Sequence, residues 1–138
     1  ADTNRTLPQN LKVFNDGESE SIILCSSKQF SDNQTSQCKF IAVEEKDDRL
    51  SPKDILKKLA NYGVTSILVE GGPSILRSFF NEGLIDELYE YTAPGILNGN
   101  DMENPINLDS SWNCINQKSL GNDKLVIYQK KEIECLVE

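Results

Sequence analysis

The chain has 138 residues, 38% of them hydrophobic, with 22 acidic against 14 basic side chains and a formal net charge of -8. Length and apolar content suit one modest domain with a real core, and the acidity argues against a nucleic-acid partner, whose phosphate backbone is met by basic surfaces. No apolar run approaches the roughly 20 residues that span a bilayer, and no basic stretch followed by an apolar one opens the chain, so neither membrane insertion nor secretion is expected.

The opening, Ala1 to Asn15, has no initiator Met and starts abruptly, as the middle of something longer would. Ser21 to Cys25 and Cys38 to Val43 are short apolar runs of the kind that form buried strands, with a polar loop from Ser26 to Gln37 between them. A helix start follows: Ser51 suits the N-cap, Pro52 the first helical position, and Asp54 a partial capping box. Ile55, Leu56 and Leu59 share one face, and Gly63 is the expected stop. Thr65 to Val69, dense in apolar and β-branched residues, is expected as a parallel strand buried on both faces. Gly71-Gly72-Pro73 then opens a helix with Ile75, Leu76, Phe79 and Phe80 on one stripe, ending near Gly83. This strand–helix alternation implies an α/β fold whose right-handed crossovers stack the helices on a shared sheet. Leu88 to Ala93 is a further strand, Pro94 to Leu108 an irregular connection, and Trp112 to Ser119 with Lys124 to Gln129 an antiparallel hairpin around Gly121-Asn122-Asp123.

Histidine is absent, which excludes histidine triads, histidine metal sites and imidazole base catalysis in this chain. Cys25, Cys38, Cys114 and Cys135 lack the close paired spacing of zinc or thioredoxin-like motifs and are expected as buried free thiols, with no metal site. Asn4-Arg5-Thr6 and Asn33-Gln34-Thr35 fit the glycosylation pattern, but nothing else points to secretion.

The strand–turn–helix around Gly71-Gly72 holds the most chemistry. A helix opening there leaves backbone N–H groups and the positive end of the helix dipole facing outward, a site for phosphate. Pro73 has no N–H, so the donors would be the amides of Gly72, Ser74 and Ile75 with the Ser74 hydroxyl. A plain tight turn is the competing reading of two glycines before a helix. The pattern is neither G-x-G-x-x-G nor a P-loop. Glu70 sits where open α/β sheets bind ligands, although a solvated strand end fits a lone carboxylate equally. Arg77 lies on the polar face of the helix, within reach of a phosphate or simply at the surface, and Asp86-Glu87 reads as a polar lead-in to the next strand.

Ile67-Leu68-Val69-Glu70-Gly71-Gly72-Pro73-Ser74, then Phe79, Gly83-Leu84-Ile85-Asp86-Glu87-Leu88 and Ala93-Pro94, resembles the reductase domain of bifunctional riboflavin biosynthesis proteins. The opening Asp2-Thr3-Asn4-Arg5-Thr6-Leu7-Pro8 is similar to that family's strand-to-loop segment, and the likeness is loose between Asp16 and Leu50. The resemblance implies a three-layer dihydrofolate-reductase-like mixed sheet flanked by helices. It also implies NADPH-dependent reduction of a phosphorylated pyrimidine ribosylamine to the ribitylamine, with hydride delivered to the sugar C1. It assigns Glu70 to the substrate, and Thr3 together with Gly72, Pro73, Ser74, Ile75, Leu76, Arg77 and Ser78 to NADPH. No proton donor is identified.

The family's domain begins upstream with a first strand and a Thr-Val…Asp-Pro…Leu…Arg segment, neither of which is in this chain, and no deaminase ligands are present. The expectation is therefore a partial reductase domain over residues 1–138, incomplete on its N-terminal side and inactive alone. Exposed sheet edges would favour self-association as a homodimer. The partner is a small phosphorylated pyrimidine, and the location cytoplasmic, or plastidic for a plant or alga. Two other classes stay open: a non-catalytic nucleotide-binding or assembly module, and a dihydrofolate-reductase-like enzyme for another substrate.

Overall fold

A computed structural model of the chain describes residues 1–15, 17–31, 38–95 and 104–131. They divide into two units, Ala1–Leu68 and Val69–Glu138. Cys135, the Asn33-Gln34-Thr35 sequon and part of the expected connection between Pro94 and Leu108 lie outside the described residues.

In the first unit, β1 (Ser21–Ser26) and β2 (Cys38–Val43) pair in parallel, Ser21 opposite Cys38 through Ser26 opposite Val43. Ile23, Cys25, Cys38, Phe40 and Val43 are all buried, which explains why both strands read as nearly unbroken apolar runs. Each such side chain contributes about 1.5–3 kcal/mol on burial. A short helix, α1 (Lys12–Asn15), which the periodicity does not announce, brings Phe14 onto this core. Its ring lies 6.3 Å from that of Phe40 at an interplanar angle of 21°. The chain opening joins the same sheet, with the Asp2 amide donating to the Leu24 carbonyl and the Ser26 amide to that of Thr3.

A two-residue hairpin, β3 (Glu45–Lys46) with β4 (Arg49–Leu50), turns at Asp47 and Asp48, both at positive φ. Two residues at φ > 0 make the turn that matches strand twist, normally signalled by Asn-Gly or Asp-Gly, so Asp-Asp hid it in the sequence. Then comes α2 (Pro52–Asn61), with the Ser51 hydroxyl accepting from the Asp54 amide. The Asp54 carboxylate does not complete the expected capping box; it accepts from the Glu44 amide at 2.9 Å and so ties the hairpin to the helix start. At the other end Gly63 N–H donates to Ala60 and Val64 N–H to Leu59, the paired bonds of a Schellman ending, with Gly63 at φ 83.

The expected strand Thr65–Val69 is not formed. Residues 65–68 are exposed, Leu68 at 74%, and no strand of the described residues pairs with them. Apolar, β-branched composition gives a segment its preference for a sheet, but the ladder requires a neighbour to take its N–H and C=O groups. Burial on both faces is absent for the same reason.

The second unit contains α3 (Pro73–Asn81) and a three-stranded antiparallel sheet in the order β5 (Glu87–Thr92), β7 (Asp123–Lys130), β6 (Trp112–Leu120). The hairpin forms as expected, with Gly121 at φ 65 in its turn. Helix α3 ends as α2 does, Gly83 N–H bonding to Phe80 and Leu84 N–H to Phe79. Phe79 is buried, and Phe80 stacks on Trp112 at 5.9 Å. Leu125, Val126 and Ile106 are the other buried apolar residues among those described in this unit. The Asp86 backbone carbonyl accepts from the Lys130 amide. Glu87 is already the first residue of β5, opposite Gln129, with its carboxylate accepting from the Tyr89 hydroxyl, so of the expected polar lead-in only Asp86 precedes the strand.

Cys25 and Cys38 are buried free thiols, and burial pushes both pKa values up. Cys114 departs from the expectation: it is exposed, because its strand, β6, has little of its length covered. No helix of the described residues is long and apolar enough to cross a membrane.

Candidate functional site

The two main helices begin in opposite ways. At α2 the Ser51 hydroxyl and a first-turn acid, Asp54, answer the exposed amides and the positive dipole end. At α3 the N-cap is Gly72, no side chain caps it, and the first turn holds no acidic residue. That end is therefore a bare donor site with uncompensated positive character, suited to an anion from outside the chain.

Its backbone is shaped for close approach. Gly71 sits at φ 152, a conformation L side chains rarely adopt, and a Cβ there would come within 2.8 Å of Ile75 Cγ2. Gly72, at φ -68 and ψ 165, is exposed, and a Cβ on it would meet nothing within 4 Å. The first glycine is thus demanded by the turn, and the second leaves room for a ligand.

Of the three amides expected as donors, those of Gly72 and Ser74 have no partner among the described residues. The Ile75 amide is different, since it donates to the Gly72 carbonyl at 3.2 Å, as the Leu76 amide does at 3.5 Å. Pro73 supplies the fixed φ that starts the helix. Ser74 is exposed, with its hydroxyl beside its own free amide. Arg77, one turn on, is exposed and has no ion-pair partner among the described residues. Ser78 turns its hydroxyl back onto the Ile75 carbonyl at 2.7 Å, and Leu76 is half-buried. These two serve the helix itself more than its outer surface. Glu70, exposed, precedes the N-cap by two residues.

The corner therefore unites Glu70, Gly72, Ser74 and Arg77 within one continuous stretch of the second unit. Thr3 belongs to the first unit, where its carbonyl is held by Ser26 and its hydroxyl has no partner among the described residues. Sequence reasoning gave Asp2 no role. The structure buries it to 8% exposure and satisfies its carboxylate with the Thr6 and Leu7 amides. Nothing in the local pattern marks this clamp, because the Thr6 and Leu7 amides lie four and five residues on, beyond the two-residue reach of an Asx turn.

The model of the RibD C-terminal domain matches residues 1–125. The riboflavin biosynthesis protein RibD of Bacillus amyloliquefaciens is 34% identical over 102 residues, covering 71% of this chain and 27% of that protein. RibD of Buchnera aphidicola is 41% identical over 62 residues, covering 45% and 17%. The chain thus spans about a quarter or less of the length of these relatives. Among solved structures, Acinetobacter baumannii RibD superposes with a TM-score of 0.70 at 20% identity, covering 94% of this chain and 36% of the other. The riboflavin biosynthesis reductase Rib7 of Saccharomyces cerevisiae gives 0.68 at 14% identity, covering 95% and 67%. These likenesses establish a shared fold.

Proposed function

The chain belongs to the RibD C-terminal domain family, and from that premise we propose that it is the reductase portion of a longer riboflavin-biosynthesis protein, reducing a phosphorylated pyrimidine ribosylamine with NADPH. The observation that carries this reading is the bare N-terminus of α3, without cap or first-turn acid, at the glycine corner.

The residues present fit a dinucleotide phosphate. The Gly72 and Ser74 amides and the Ser74 hydroxyl donate to its oxygens, the helix dipole favours its charge, and Arg77 adds a cation on the same side. Pro73, Ile75, Leu76 and Ser78 hold that first turn in shape, and Thr3, in the first unit, is assigned to NADPH by the family likeness alone. NADPH, when bound, supplies the hydride that reduces the sugar C1. Glu70 takes the substrate: a carboxylate only accepts hydrogen bonds, so it orients the ribosyl hydroxyl and amine donors and disfavours a second anion at the same spot. Placing substrate and cofactor on adjacent residues gains rate through proximity.

Assembly as a homodimer belongs to the same proposal, supported by the exposed, β-prone residues 65–68. A cytoplasmic place, or a plastid in a plant or alga, goes with it. The test is calorimetric titration of the full-length protein and its Glu70→Ala variant with NADPH and with substrate. Substrate affinity should fall at least tenfold in the variant while NADPH affinity holds. Unchanged substrate affinity removes Glu70 from the site, and absence of NADPH binding by the wild type overturns the reductase reading.

A further inference from the structure

The turn Asp2–Leu7 closes around a buried carboxylate. One Asp2 oxygen accepts from the Thr6 amide at 3.0 Å and the Thr6 hydroxyl at 3.4 Å, and the other accepts from the Leu7 amide at 3.0 Å. The Asp2 amide donates to Leu24 on β1 at 2.8 Å, while its carbonyl accepts from the Arg5 amide at 3.1 Å. Arg5 stands at φ 52, unusual for a residue with a Cβ, and its guanidinium lies 4.3 Å from the centre of the Phe40 ring and bonds to Ser31. A strained position of this kind persists only where its surroundings over-determine it.

Thr3 is the residue held by this arrangement. Asp2 fixes it from one side, the turn Asn4–Leu7 from the other, and Ser26 N–H takes its carbonyl at 3.0 Å. Its hydroxyl has no partner among the described residues. The chemistry also explains why the residue is Asp: two amides from successive residues reach two different oxygens. Asparagine offers one acceptor oxygen, and its NH2 would face an N–H donor.

We propose that Asp2 is a positioning residue for the cofactor, fixing the turn that presents the Thr3 hydroxyl and so setting NADPH affinity without touching NADPH. This rests on the assignment of Thr3 to the NADPH site. The carboxylate acts as a two-point clamp, and the cofactor meets its effect only through Thr3.

The test is a double-mutant cycle on the full-length protein, titrated with NADPH, using wild type, Asp2→Asn, Thr3→Ala and the double variant. Each single change should weaken NADPH binding about tenfold, and the double variant should be no weaker than Thr3→Ala. At saturating NADPH, kcat should hold while KM for NADPH rises. If Asp2→Asn does not fold, Asp2→Glu keeps both oxygens one methylene displaced and should show a loss of a few fold that disappears in the Thr3→Ala background. Losses that multiply, or a fall in kcat, would mark Asp2 as merely structural and overturn the proposal. Full affinity in Asp2→Asn beside a weakened Thr3→Ala overturns the positioning role alone. Full affinity in Thr3→Ala overturns the assignment of Thr3 and the proposal with it.

Discussion

Giving α3 the cap it lacks should stabilise the protein and weaken its cofactor binding at once. Gly72 already has the extended N-cap conformation, φ -68 and ψ 165, with open space around it, so Gly72→Asp requires no rearrangement. The new carboxylate accepts from the first-turn amides and faces the positive dipole end. Against glycine, the cap itself adds a few tenths of a kcal/mol, the dipole about 0.3–1, and the loss of glycine's unfolded-state freedom about 0.4–1. The sum is about 1–2 kcal/mol of added stability. Urea unfolding followed by tryptophan fluorescence reads it directly, because the sole tryptophan, Trp112, stacks on Phe80 of α3. The same carboxylate occupies the donors assigned to the phosphate and repels it, so NADPH affinity should fall by at least about tenfold. A stabilised variant with undiminished NADPH affinity would refute the placement of the phosphate at this helix. A destabilised one would refute the account of the bare N-terminus.

Gly71→Ala should behave as the opposite of its neighbour's substitution, losing about 1–3 kcal/mol to the forced backbone and to the contact at Ile75; chemical denaturation within 0.5 kcal/mol of wild type would contradict this. Ser51→Ala should cost about 1 kcal/mol through the lost cap of α2, read as a lower Tm. In a Cys135→Ser background, Cys114 should react with a thiol reagent in the folded protein, and Cys25 and Cys38 only on unfolding; rapid titration of all three would contradict their burial. Cys25, Cys38 and Tyr128 have pKa values raised, chiefly by burial, above ordinary values of 9.0 for the thiols and 10.0 for the phenol. A raised folded pKa gives stability that is complete below the ordinary value and lost as pH rises through the folded one, so Tm should decline above about pH 9. A flat Tm through that range would contradict it.

Local signals were read well where a residue type has one strong reason to be present. Ser51-Pro52 and Gly63 bracket α2, Pro73 and Gly83 bracket α3, and Gly121 turns the hairpin, because caps and positive-φ positions are decided by a few neighbouring atoms. The segment Thr65–Val69 shows the limit. Its composition records a preference for pairing, whereas pairing depends on another strand lying beside it. Asp54 makes the same point on a smaller scale: its spacing from Ser51 fits a capping box, but Glu44 N–H, ten residues away, offered a competing donor that no local pattern contains. At the candidate site, the glycines and Pro73 were legible as a helix start with outward-facing amides, although the Ile75 amide proved to be spent within the helix. The clamp of Asp2 was not legible, since its value lies in a burial that only the packed turn creates. The likeness to riboflavin reductases, carried by Ile67 to Ser74, Phe79, Gly83 to Leu88 and Ala93-Pro94, supplied the proposed ligand, which periodicity does not encode.

The central claim is that the free amides at the start of α3 hold the phosphates of NADPH. Titrating NADPH into the 15N-labelled protein and following amide resonances addresses it residue by residue. The Gly72 and Ser74 amides should show the largest shifts, with the α2 amides around Asp54 unmoved. If NADPH binds while the Gly72 and Ser74 resonances stay in place, the phosphate lies elsewhere and the account is wrong.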